Sequence, residues 1–216
     1  MDKEELKEVL QEMDEYSKLL FPNPNQIAYY KDINNRVIYI DDFSVNGEGD
    51  NNLLPITRQI LHFNKEDNES NVPINERKPI RLMIYTYGGG LELALSFANL
   101  CLISKTPIYT YNIGLALSAG FLILLAGHKR FALPNSQVLI HEGSSMIAGT
   151  AQQAELHMAN YKKQLDRVKE FVLSRTNITA TTYNKKVKTE WFIWAEDLVK
   201  MGIINEIIEN IDQIYT

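Results

Sequence analysis

The chain has 216 residues, with 22 Lys and Arg against 27 Asp and Glu, and a formal net charge of −5 at pH 7. This balance argues against a nucleic-acid-binding protein, because phosphate recognition needs a clustered positive surface. The apolar fraction of 45% is typical of a globular protein with a sizeable core, and it argues against a disordered chain.

The cysteine content and the N-terminal residues indicate in which cellular compartment the protein is located. The single cysteine, Cys101, cannot form an intrachain disulfide, so a secreted, disulfide-stabilised fold is not expected. The acidic start, Met1 to Glu5, lacks the apolar core of a signal peptide. The uncharged stretch from Thr106 to Gly127 is broken by proline, asparagine and glycine, which disfavours a membrane span. We therefore expect a cytoplasmic protein that contacts neither membrane nor nucleic acid.

The N-terminal residues predict a separate arm. Apolar residues from Leu6 to Leu20 recur at helical spacing, which predicts an amphipathic helix. Pro22 and Pro24 are expected to end that helix. We assign residues 1–25 to the arm and residues 26–216 to the main domain.

Strands and helices then alternate along the chain. The predicted strands are Val37–Ile40, Ile80–Tyr85, Ile108–Ile113, Phe131–Ala132 and Gln137–Ile140. The predicted helices are Leu53–Phe63, Leu91–Ile103 and Ser118–Ala126, with a charged loop over Asn64–Lys78. This alternation predicts βαβ crossovers and an α/β fold with a largely parallel sheet.

The pattern changes after the last of these strands. Ala151–Arg175 predicts one helix, too long for a routine crossover, that projects from the core. Trp194–Met201 predicts a final helix capped by Gly202, and Ile203–Ile208 predicts a terminal strand.

Three glycines, Gly88-Gly89-Gly90, join a predicted strand to a predicted helix. A dinucleotide fingerprint would need glycine at position 93, which is leucine, and no Gly-Lys-Ser/Thr of a phosphate loop occurs. Bare N–H groups at a helix N terminus could bind a developing oxyanion. A simple tight turn is the alternative interpretation.

Ser118 and His141 are the candidates for nucleophilic chemistry. Ser118 follows a strand and a glycine turn and heads an apolar helix, so it is either a nucleophile or a helix N-cap. His141 follows a strand, at the end where α/β sheets place their sites. The other histidines form no metal-type motif with it, so no metal is predicted.

Several motifs together resemble the Clp protease proteolytic subunit (ClpP) family. The most specific is the segment Arg130 to His141, RFALPNSQVLIH, which resembles the family's segment ending in its catalytic histidine. Gly149-Thr150-Ala151 resembles the turn into the family's handle helix, and residues 195–204 resemble its closing helix and turn. The resemblance runs from about Arg36 to Ile208.

The resemblance implies a fold and a reaction. The fold would be the ClpP/crotonase-like spiral of ββα units with a handle helix at about residues 151–175. The activity would be that of a serine endopeptidase without cofactor, with Ser118 as nucleophile and His141 as general base. The backbone N–H groups of Gly89 and Ala119 would form the oxyanion hole, with Gly90 as the alternative to Gly89.

The third residue of the triad departs from the family pattern. The family uses aspartate before its closing helix, and Glu190 stands at that position here. Asp197 is a weaker candidate that reads as a surface residue. Thr86-Tyr87 and Glu142-Gly143 also replace the family's usual residues beside the peptide groove.

The resemblance further implies two stacked seven-membered rings, peptide or unfolded protein substrates and an AAA+ Clp ATPase partner. The main alternative is a catalytically weak or silent paralogue that acts as a structural or regulatory ring subunit. A crotonase-type acyl-CoA enzyme would rely on carboxylates, and a related signal-peptide peptidase would use a Ser–Lys dyad at a membrane.

Overall fold

The computed structural model describes Lys7 and residues 24–43 and 53–215. The chain divides into two compact units, Met1–Val37 and Ile38–Thr216. In the first unit, helix α1 spans Pro24–Asn34. Pro24 begins this helix, because proline suits the first helical turn, where its missing N–H has no partner to lose. The arm helix predicted up to Leu20 lies outside the described residues, Lys7 apart.

The second unit is an α/β structure built on one seven-stranded sheet. The strands are β1 (Val37–Ile40), whose first residue closes the first unit, β2 (Ile80–Thr86), β3 (Ile108–Leu117), β4 (Lys129–Ala132), β5 (Gln137–Ile140), β6 (Trp191–Trp194) and β7 (Glu206–Ile207). The helices are α2 (Leu53–Glu69), α3 (Leu91–Ile103), α4 (Ala119–Ala126), α5 (Ala151–Arg175), α6 (Ala180–Lys186) and α7 (Ala195–Lys200). Short 3-10 turns cover Ile74–Glu76 and Ile211–Ile214.

The sheet branches at β3. Its main path runs β1-β2-β3-β4-β7, while β5 pairs with both β3 and β6. The first part of β3, Tyr109–Asn112, pairs with β4, and its last part, Leu115–Leu117, pairs with β5. The pairs β2–β3, β3–β4, β3–β5 and β4–β7 are parallel, whereas β5–β6 is antiparallel. Because of this branch, strands β3 and β5 end side by side.

A buried amide holds this branch. Asn112 is fully buried, and its Nδ2 donates to the Gln137 carbonyl over 3.0 Å. Its Oδ1 accepts a hydrogen bond from the Gly114 N–H over 3.1 Å. These two bonds satisfy backbone groups at the point where β3 leaves β4 and joins β5.

Helix α4 forms the centre of the core. All eight of its residues are buried, in agreement with their uninterrupted apolar character. Two of the last carbonyls of α4 accept side-chain hydrogen bonds: Leu124 from the Thr110 hydroxyl, and Leu125 from Arg175 Nε. Because Arg175 is the last residue of α5, this contact fixes the C-terminal end of the long helix to the core.

Helix α5 projects from the core, as predicted. A capping box between Thr150 and Gln153 begins it, and its buried residues, Val168 and Val172, lie in its C-terminal half. The N-terminal half carries no buried residue. No helix within the described part of the chain combines the length and apolar character that crossing a bilayer requires.

Most predicted elements are confirmed, and the others needed correction. The bounds of β1, α3, β5 and α5 are as predicted, and Gly202 caps α7 with a φ of 66°. The predicted loop over Asn64–Lys78 was wrong, because α2 continues to Glu69. Asn64 and Asp67 accept hydrogen bonds from the turn around Thr106, which explains polar residues in this part of the helix.

The C-terminal region supplied the other corrections. Helix α6 and strand β6 were not predicted, and Trp194 ends β6 instead of beginning the last helix. The predicted strand Ile203–Ile208 is reduced to β7. In this region short, mixed sequences leave local periodicity too weak to separate strand from turn.

We predict that Asn112→Ala lowers the free energy of unfolding by about 2–4 kcal/mol, because it removes a hydrogen-bond partner from each of two partly buried backbone groups. Urea denaturation followed by circular dichroism measures this change. Asn99→Ala, at an exposed position of α3, is the matched control. Equal stabilities of the two variants would contradict the role given to Asn112.

Candidate active site

Ser118 lies at the junction of β3 and α4 in a backbone conformation that is unusual for a non-glycine residue. Its φ is 54° and its ψ is −124°. The Ser118 N–H donates to the Leu139 carbonyl of β5 over 3.0 Å, which helps to hold the turn. The side chain makes no capping bond to α4. The hydroxyl is therefore free for another partner, and a plain N-cap role does not describe it.

That partner is His141. The Nε2 atom of His141 lies 2.7 Å from Ser118 Oγ. The two residues meet because Leu117 pairs with Leu139, so each lies just beyond the end of its own strand at the same edge of the sheet. The branch in β3 thus brings together two residues that are 23 positions apart in sequence.

The peptide that follows His141 is held from two sides. The Glu142 N–H donates to the Val187 carbonyl over 3.0 Å, and the Glu142 carbonyl accepts a hydrogen bond from the Tyr161 hydroxyl over 2.8 Å. Tyr161 belongs to α5, so the long helix contacts the segment that carries the histidine. Sequence reasoning missed this contact, since nothing local distinguishes a tyrosine on a helix surface.

The glycine turn lies against the residues that follow β1. Gly88 has a φ of 113°, and its carbonyl accepts a hydrogen bond from the Phe43 N–H. A Cβ atom on Gly89 would overlap the Phe43 carbonyl, so this position requires glycine. Asp42 Oδ1 accepts hydrogen bonds from the Tyr87 N–H over 2.6 Å and from the Thr86 hydroxyl over 3.0 Å. Asp42 therefore fixes the start of the turn.

Two backbone donors lie in the same cavity as Ser118 and His141. Gly89 and Ala119 line that cavity, and neither N–H donates to an acceptor in the described part of the chain. Ala119 is the first residue of α4, where the helix dipole adds positive potential. This arrangement can accept a negatively charged oxygen.

The cavity has a volume of about 320 Å³ and has both apolar and polar lining residues. Phe121, Leu122 and Val168 are among the apolar ones. A second cavity of about 280 Å³ shares part of its lining with the first. The residues that line both cavities are Glu92, Ser145, Tyr161 and Gln164. Together the two cavities form one groove along α5.

Two phenols in this groove remain protonated well above neutral pH. Burial, with the charges of Glu142 and Glu92, raises the pKa of Tyr161. Burial, with the charge of Glu142, raises the pKa of Tyr183 to about 12. Both hydroxyls can therefore act as hydrogen-bond donors at neutral pH.

The backbone of Glu190 lies beside that of His141 across the paired strands, but the two side chains do not bond to each other. Strands β5 and β6 pair Ile140 with Trp191, and continuing this register places Glu190 opposite His141. The Glu190 side chain is exposed, and no hydrogen bond joins it to His141. Its catalytic role stays a prediction. Asp197 forms an exposed ion pair with Lys200 at 2.9 Å, as expected of a surface residue.

Comparisons with known proteins agree with this architecture. Residues 30–211 match the family model described as Clp protease. A Treponema denticola protein named ATP-dependent Clp protease proteolytic subunit 2 is 31% identical over 166 residues, which cover 71% of this chain and 83% of that protein. A Deinococcus radiodurans protein named ATP-dependent Clp protease proteolytic subunit is 28% identical over 62% of this chain and 67% of its own.

The structural comparison concerns the fold. A mutant of ClpP1 from Listeria monocytogenes superposes with a TM-score of 0.70 and 24% sequence identity. The match covers 86% of this chain and 98% of that one. At this identity it supports the predicted fold class, α/β of the ClpP type with a projecting helix.

We predict that Asp42→Ala slows the reaction of Ser118 with a fluorophosphonate about tenfold, because the glycine turn loses its anchor and small displacements at reacting centres are costly. Intact-mass measurements against time give the rate. Asp42→Asn, which keeps an acceptor oxygen at this position, should retain most of it. An unchanged rate in folded Asp42→Ala would contradict this role.

Proposed function

Because the chain belongs to the Clp protease family, we propose that it is a serine endopeptidase whose nucleophile is Ser118. The observation that carries the proposal is the 2.7 Å contact between Ser118 Oγ and His141 Nε2. It is supported by the strained backbone of Ser118 and by a hydroxyl that takes no part in helix capping. A purely structural serine would not need this conformation.

The proposed reaction proceeds by acyl transfer. Neutral His141 accepts the Ser118 hydroxyl proton at Nε2 while Oγ forms a bond to the peptide carbonyl carbon. The same histidine then gives that proton to the departing amine as the C–N bond breaks. Water, activated in the same way, cleaves the acyl-serine and restores the enzyme.

The tetrahedral intermediate carries a negative oxygen that the N–H groups of Gly89 and Ala119 would bind. The parallel bridge between Phe43 and Gly89 supports Gly89 over Gly90. In such a bridge the peptide groups on either side of the central residue bond to the partner strand, so the Gly89 N–H itself stays available.

Glu190 is proposed as the residue that orients His141. If Nε2 accepts the serine proton, Nδ1 carries the other hydrogen and needs an acceptor. The register of β5 and β6 supports Glu190, since it places this residue across from His141. An acceptor there would fix the tautomer and stabilise the imidazolium.

The quaternary structure and partners are also proposed. Leu156 and Met158 lie exposed on the projecting part of α5, which supports contact with other subunits in stacked seven-membered rings. Two relatives are named as subunits of an ATP-dependent protease, which supports a Clp ATPase as partner and unfolded protein as substrate.

The first test is intact mass after treatment with a fluorophosphonate. We expect one adduct per chain, because only a serine activated by a base reacts. Ser118→Ala is the matched control and should stay unmodified. No adduct on a folded, assembled sample would refute the peptidase and favour the catalytically silent ring subunit.

The role of Glu190 has a separate test. We expect Glu190→Gln to lower kcat for peptide hydrolysis about a hundredfold or more, because the amide cannot stabilise imidazolium. KM should change little, since Glu190 does not line the cavity. Glu196→Gln, which removes an exposed charge on α7, is the control. Equal kcat values in the two variants would assign the orientation of His141 to another group.

A further inference from the structure

The groove beside Ser118 is negatively charged. Glu92 and Glu142 line it, and none of the described residues that line either cavity is lysine or arginine. Among the described residues, no ion pair joins Glu92 or Glu142 to a basic side chain. An unneutralised carboxylate in a substrate groove attracts a cationic ligand and repels an anionic one.

Glu92 is the better placed of the two carboxylates to contact a substrate. It lies in the first turn of α3, three residues after Gly89, and it lines both cavities, whereas Glu142 lines only the first. A peptide whose carbonyl oxygen reaches the Gly89 N–H would therefore pass close to Glu92 as it follows the groove.

The Glu92 carboxylate is also held in place. Its Oε1 accepts a hydrogen bond from Gln164 Nε2 over 2.9 Å, which links α3 to α5 across the groove. The other carboxylate oxygen makes no hydrogen bond to the described residues and is available to a ligand. A fixed, ionised carboxylate discriminates between ligand charges better than a mobile one, because less side-chain entropy is lost on binding.

A neighbouring phenol, Tyr161, lines both cavities together with Glu92. Burial raises the pKa of Tyr161, and the charges of Glu142 and Glu92 raise it further. Both carboxylates therefore act on the part of the groove that the two cavities share.

We propose that Glu92 is a specificity-determining residue that selects peptides with a lysine or arginine side chain near the scissile bond. This inference rests on the proposed peptidase function and adds the class of substrate to it. The cationic side chain would occupy the part of the groove that Glu92 and Gln164 line in both cavities, whereas Phe121 and Leu122 line the first cavity alone. There its ammonium or guanidinium group would bond to the carboxylate oxygen that Gln164 leaves free.

A binding experiment tests the proposal without any need for turnover. Ser118→Ala protein is titrated into fluorescein-labelled peptides of neutral sequence, each with a single lysine, norleucine or glutamate placed at successive positions. At one position we expect lysine to lower Kd about fivefold relative to norleucine, in line with a partly exposed ion pair. Glutamate at that position should raise Kd, and 0.5 M salt should reduce both differences.

The charge variants assign the effect to one residue. Adding Glu92→Gln should remove the preference for lysine, while Glu92→Lys should reverse it in favour of glutamate. Glu196→Gln removes a charge outside the groove and should leave the preference unchanged. Equal Kd values for lysine and norleucine at every position, a preference that survives Glu92→Gln, or no binding of any peptide would each overturn the proposal.

The peptide-binding experiment and the fluorophosphonate test of the proposed function can succeed or fail independently. Wild-type protein that forms a fluorophosphonate adduct but shows no lysine preference would keep the peptidase and reject the role of Glu92. Protein that binds lysine peptides through Glu92 but forms no adduct would keep the selective groove and reject catalysis. For active protein, kcat/KM for the same peptides should follow the order of the Kd values.

Discussion

The site depends on the branch in the central sheet, where β3 leaves β4 and joins β5. The buried Asn112 amide holds this branch through the Gln137 carbonyl and the Gly114 N–H. Because β3 and β5 then run parallel and end together, Ser118 and His141 meet without any local contact in sequence. Without the branch, the last part of β3 would pair with β2 alone, and no strand pairing would bring the serine to the histidine.

Helices α4 and α5 contribute further groups to the site. The apolar helix α4 places the Ala119 N–H, which bonds to no described residue, at the same edge of the sheet, and its other end is fixed by Arg175 from α5. The same long helix contacts the peptide after His141 through Tyr161 and contacts Glu92 through Gln164. One helix therefore contacts the core, the segment that carries His141 and the groove beside Ser118.

Segments with a clear local pattern were predictable, and segments held by distant contacts were not. Helix α5 has the predicted bounds because its helical periodicity is unbroken, and strand β5 because it is a short apolar run that follows a turn. Strand β6 escaped prediction because it is stabilised by pairing with β5, a contact over more than 50 residues that local sequence does not encode. Likewise α2 extends through polar residues because Asn64 and Asp67 bond to the distant turn at Thr106.

The sequence by itself determined the fold class, the family resemblance and the two candidate residues Ser118 and His141. Each of these depends on local pattern or on motif order, which a single chain displays in full. The tertiary structure decided the strained conformation of Ser118, the support of the glycine turn by Asp42 and the charge of the groove around Glu92. These features join residues from different elements, and their energies depend on burial and distance, which exist only once the chain has folded.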